Sequence, residues 1–146
     1  MKKIGMDVII KEWNKLSKEQ KDYVCKNQKL SVKFIEQIWN ELSNKRKEFI
    51  CIYQSLPITF IKRIWNKLDK DQKDYVCVNQ KLSVEFIEQI WNELDEEQKN
   101  YVCSYQDLSV EFIKKRYGKE LDVYQKYLLK DRVDNITKFI LLRLEK

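Results

Sequence analysis

The sequence predicts an all-α fold, an α-solenoid of 26-residue two-helix repeats with about eleven short helices. Three observations carry that expectation. The first is a strict interval: Trp13, Trp39, Trp65 and Trp91 fall 26 residues apart, and Tyr117 continues the series. Cys25, Cys51, Cys77 and Cys103 keep the same interval, as do Gln28, Gln54, Gln80 and Gln106, and Phe34, Phe60, Phe86 and Phe112. The second is apolar spacing inside each interval. In "SVEFIEQIWNEL" the residues Phe86, Ile87, Ile90, Trp91 and Leu94 make one wide apolar face at helical period. The third is a side-chain cap before most of the expected helices, in a chain with two Gly, one Pro and no Ala to punctuate it.

Each repeat reads as a helix A followed by a helix B. Helix A starts at Ser31, Ser83 or Ser109, each a good N-cap, and at Pro57 in the second repeat, which fits a helix start without a capping oxygen. Leu30, Leu56, Leu82 and Leu108 precede these starts and form hydrophobic staples with Ile35, Ile61, Ile87 and Ile113. Helix B opens on a capping box at Ser17/Gln20, Asp69/Gln72 and Asp95/Gln98, whereas Ser43 has Arg46 where Gln would stand. Helices are expected near 7–16, 18–28, 31–42, 44–54, 57–68, 70–80, 83–94, 96–106, 109–119, 122–133 and 136–145. Residues 1–16 then form an N-terminal half-repeat, 17–120 four repeats and 121–146 a divergent capping repeat, all in one domain. In that last part the interval becomes 27, through one inserted residue near Gly118, and Asp122/Gln125 overlays Asp95/Gln98. Helices this short nucleate poorly alone, so stacking must hold them.

A second order lies above the repeat. Residues 18–43 and 70–95 match at 22 of 26 positions, while the repeat between them differs, so the duplicated unit is a pair of repeats. The phrases "SYQDLSVEFI" and "NQKLSVEFI" resemble the short YQ-x-LS-x-x-FI helical repeats of uncharacterised bacteriophage and large DNA virus proteins. The resemblance covers the Gln-x-Leu-Ser to Phe-Ile core of each repeat. It implies a helical repeat of viral or phage origin and carries over no catalytic residue.

Enzyme chemistry finds no foothold. The chain has no His, no phosphate-binding glycine loop and no nucleophile elbow. The four cysteines sit at one equivalent position in successive repeats, too widely stepped for a disulfide and arranged in a line that cannot surround a zinc ion. They are expected to be reduced, buried small residues. The tryptophans are expected in the core. The glutamines, and Asn14, Asn40, Asn66 and Asn92, are expected to bond backbone. Asp95, Glu96 and Glu97 suit a helix N-terminus by charge and need no catalytic reading. No catalytic residue, cofactor or metal is expected.

The net charge of +6 is concentrated at one end: residues 114–146 hold 10 Lys/Arg against 5 Asp/Glu, and residues 1–113 hold 19 against 18. No apolar run is long enough to span a membrane and no signal peptide is read, so a cytoplasmic protein is expected. Repeat scaffolds bind through the positions that their architecture leaves free. Here these are Lys26, Ile52 and Val78 after the Cys, Tyr53 and Tyr105 next to them, and Lys62, Arg63, Lys114 and Lys115 on helix A. The expected function is non-enzymatic binding of another protein, a host or immune factor if the origin is viral. The alternative is nucleic-acid binding through the local basic patches. A homodimer through the C-terminal end, on Leu141 and Leu142, is also expected.

Overall fold

The computed structural model describes residues 4–130 and Arg143. They are all-helical, and helix pairs follow one another as an all-α array of short repeats. The chain divides into two compact units, residues 1–80 and 81–146.

In the first unit, helix A is α1 (Met6–Glu12), α3 (Val32–Ile38) and α5 (Ile58–Ile64); helix B is α2 (Lys18–Asn27), α4 (Asn44–Tyr53) and α6 (Lys70–Asn79). The B helices stack, α2 on α4 and α4 on α6. The A helices are joined by aromatic edges: Trp13 meets Phe34 and Trp39 meets Phe60, each T-shaped at 5.5 Å. The second unit holds α7 (Val84–Ile90) and α9 (Val110–Tyr117) as A helices, and α8 (Glu96–Tyr105) and α10 (Val123–Leu129) as B helices. There α8 stacks on α10, and Trp91 meets Phe112 at 5.2 Å.

The expected starts are present. Ser31, Ser83 and Ser109 cap their A helices by accepting from the N–H of Phe34, Phe86 and Phe112. Full capping boxes close at Ser17, Asp69, Asp95 and Asp122, and Ser43 caps without a box. The box at Asp122, with Leu121, Gln125 and Leu129 buried, bears out the one-residue shift near Gly118. The expected helix over 136–145 lies outside the described residues.

The ends differ from the expectation. Helix A does not run on through its tryptophan as α-helix. It tightens into a 3₁₀ turn at Trp13–Lys15, Trp39–Glu41, Trp65–Lys67 and Trp91–Glu93. The following leucine then leaves in extended backbone and returns its N–H to the Trp carbonyl at 3.2 Å. An i→i+3 bond satisfies a terminal carbonyl and ends the helix with no left-handed residue, and no positive φ occurs among the described residues. Asn14, Asn40, Asn66 and Asn92 stand exposed on these turns.

Helix B is ended by its neighbour. Gln54 Nε2 donates to the carbonyls of Cys25 (2.9 Å) and Gln28 (2.7 Å), and its Oε1 accepts from Leu30 N–H (3.0 Å). Gln80 repeats this on Cys51, Gln54 and Leu56. Gln28 accepts from Ile4 and Gln106 from Leu82. All four glutamines are buried. A side-chain amide from one repeat therefore takes up the orphan carbonyls of the B helix before it, the task that a C-terminal glycine performs elsewhere.

The tryptophans are core, 1–4% exposed, and the cysteines are free and 0% exposed. Lys21, Lys47, Lys73 and Lys99 lie over the four indoles at 5.1–5.5 Å.

Candidate interaction surface

With Cys, Val and Gln turned inward, the last turn of each B helix turns its next residues outward. Lys26 is exposed, and Ile52 and Val78 are half-buried. Tyr53 and Tyr105 are 56% and 60% exposed. Each tyrosine stands one turn after a half-buried ring, with centroids 6.4 Å apart for Phe49–Tyr53 and 6.5 Å for Tyr101–Tyr105. The two sites are the same register position, 52 residues apart, but their surroundings differ in charge. In the first unit Lys26 Nζ lies 4.2 Å, and Lys45 Nζ 5.7 Å, from the Phe49 centroid. In the second, Tyr101 Oη donates to Glu97 at 2.6 Å. The odd repeats have asparagine there, and Asn27 and Asn79 turn back to donate to Tyr23 and Tyr75 carbonyls at 3.0 Å.

The cations on helix A are largely engaged within the chain. Arg63 pairs with Glu36 at 2.5 Å. Glu88 receives both Arg116 terminal nitrogens, at 3.1 and 2.6 Å, and Lys115 at 3.8 Å. The Arg116 hydrogen bonds, and then its charge and that of Lys115, hold the Glu88 carboxyl below the usual carboxylate range. Lys62 is exposed and Lys114 half-buried. On helix B, Arg46 Nε meets Asp22 at 2.8 Å. Leu141 and Leu142 lie outside the described residues.

Sequence reasoning missed Arg116. It is buried, with its guanidinium 4.0 Å from the Phe112 centroid and 5.5 Å from Trp91. The signal was available: Arg116 stands where Ile38, Ile64 and Ile90 stand in the other repeats. Also missed was an apolar groove of about 450 Å³ between α1 and α2, walled by Ile4, Val8, Ile9, Leu16, Tyr23 and Val24.

Nothing among the described residues groups three His, Cys, Asp or Glu as a metal site, and no described helix is long and apolar enough to cross a membrane. Burial pushes the Cys25 thiol up to about 11 and the Cys51 thiol up to about 12. Compared with known proteins, the chain matches no family model, no curated protein and no solved structure.

Proposed function

We propose that the chain is a non-enzymatic repeat scaffold that binds another protein through the exposed aromatic ends of its even B helices. One observation carries the reading. Tyr53 and Tyr105 are large, exposed rings seated on a second aromatic, at positions where the odd repeats carry self-bonded asparagines. Rings of this kind supply contact area at little entropic cost and are enriched at binding sites. Ile52, Val78 and Lys26 stand one position before the ring or asparagine of their own repeats, with Lys26 exposed and the other two half-buried. The likeness of the repeats to phage and viral sequences supports a host or immune protein as the partner.

The basic side chains support this reading over nucleic-acid binding. Arg46, Arg63, Lys115 and Arg116 each meet an Asp or Glu of the repeat before. A groove that follows phosphates needs its cations free. The test is affinity capture from a host lysate by the native chain and by a Tyr53→Ala/Tyr105→Ala variant. The native chain should retain a partner that the variant loses while its far-ultraviolet circular dichroism stays unchanged. Equal capture by both, or steeply salt-dependent binding of a generic oligonucleotide, would overturn it.

A further inference from the structure

The groove between α1 and α2 has counterparts within the first unit, and there the same positions are covered. Ile4 and Val8 occupy the register of Leu30 and Phe34 one repeat on. Leu30 and Phe34 are 6% and 3% exposed, and Phe34 is covered by Trp13 of the preceding repeat; Ile4 and Val8 are 41% and 54% exposed. On the B side, Gln20 occupies the register of Gln72. Gln72 is buried and reaches back to the Asn44 carbonyl of the preceding B helix, whereas Gln20 is exposed. The groove therefore has the register of a stacking seat, with its apolar and polar walls both exposed.

The donor register of the same interface recurs on α10. Within the second unit α8 presents Glu96 and Asn100 to the next B helix, where both accept from Gln125. With the 27-residue shift, α10 presents Val123 and Tyr127 at those positions. They are 84% and 58% exposed, and the polar pair has been replaced by an aliphatic and an aromatic residue. An apolar face thus stands at the donor register of α10, and an apolar groove at the acceptor register of α1 and α2.

We infer that the occupant of the seat is a second copy of this chain, with Val123 and Tyr127 of its α10 entering the groove beside Val8 and Tyr23. The contact continues the stacking interface already present between α2 and α4, α4 and α6, and α8 and α10. It joins two different surfaces, so it is heterologous.

Light scattering over a concentration series tests this, with Val8→Glu at the seat and Tyr127→Glu on α10. Both positions are exposed, so both variants should keep native circular dichroism; Val8→Ser and Val123→Glu serve in their place if either does not. The native chain should rise above the monomer mass with concentration. Each variant alone should stay monomeric, with association weakened at least tenfold. Their equimolar mixture should form dimers and stop there, because one variant keeps its α10 and the other its seat. Tyr53→Ala/Tyr105→Ala should assemble like the native chain, which separates this contact from the partner surface. A native monomer at every concentration would overturn the inference. So would assembly by either variant alone, which would indicate like ends meeting, and so would a mixture with no dimer.

Discussion

Gln54→Ala removes a side chain that holds two repeats together and leaves two carbonyls and one amide behind. The bonds lost run to Cys25 (2.9 Å), Gln28 (2.7 Å) and Leu30 (3.0 Å), all buried. Each stranded backbone group costs about 1–3 kcal/mol when it is left without a partner. Water entering the vacated space would recover part of this, so the expected loss is about 3–5 kcal/mol. Urea unfolding followed by circular dichroism measures the total. Hydrogen exchange at the Leu30 amide measures the local effect, because that N–H loses its acceptor. Gln54→Glu separates bonding from volume: it fills the space but turns an oxygen toward two carbonyls, and should cost as much as alanine. Asn27→Ala is the control, since its bond to the Tyr23 carbonyl is exposed, and should stay within about 0.5 kcal/mol. A loss under about 1 kcal/mol for Gln54→Ala, or an unchanged Leu30 exchange rate, would refute the role assigned to the glutamine series.

Trp65→Ala, at a ring 3% exposed, should cost about 3–5 kcal/mol by the same unfolding assay, and Asp69→Ala, which opens a capping box, about 1 kcal/mol. Thiol labelling at pH 8 should be slow in the folded chain and complete in urea. Because burial raises Cys25 to about 11 and Cys51 to about 12 from an ordinary 9.0, their contribution to stability is full below about pH 9 and is lost as the pH rises through 11 to 12. Glu88 has the opposite sign. Its pKa is lowered by Arg116, so its contribution is present above its ordinary 4.5 and is lost as the pH falls through the lowered value. Glu88→Gln should remove that part of the acid dependence, as read from unfolding midpoints between about pH 5 and 3.

What was legible in the sequence was local or strictly periodic. A capping box spans three residues, so Ser17, Asp69 and Asp95 could be read directly. The burial of Trp and Cys followed from their place on an apolar face. The partners of the glutamines were not legible: nothing local distinguishes an amide that bonds its own helix from one that bonds residues 24 to 29 positions away. The 3₁₀ turns were missed because the apolar spacing continues through Trp and Leu, while the tightening depends on where the next helix must begin. Two ion pairs were illegible for a related reason: Arg63–Glu36 and Lys115–Glu88 run at 27 residues, one step off the register at which the repeats align.

That offset gives the pairwise duplication a physical reason. Glu36 of an odd repeat faces Arg63 of the even repeat that follows, and Glu88 faces Lys115 and Arg116 in the same way. Copies of the odd repeat alone would set a glutamate against a glutamine, with no pair formed. Copies of the even repeat alone would set Lys62-type residues against Arg63-type residues, like charge on like. Only an odd repeat followed by an even one brings opposite charges together, and copying 52 residues at a time preserves that order. The stability gained is small for an exposed pair such as Glu36–Arg63, about 0.2–1 kcal/mol. Stability is therefore not the main effect of the alternation. Near-identical repeats share the same apolar faces and could stack in the wrong order at little hydrophobic cost. Alternating charge penalises an even repeat on an even repeat, and so specifies which neighbour is correct.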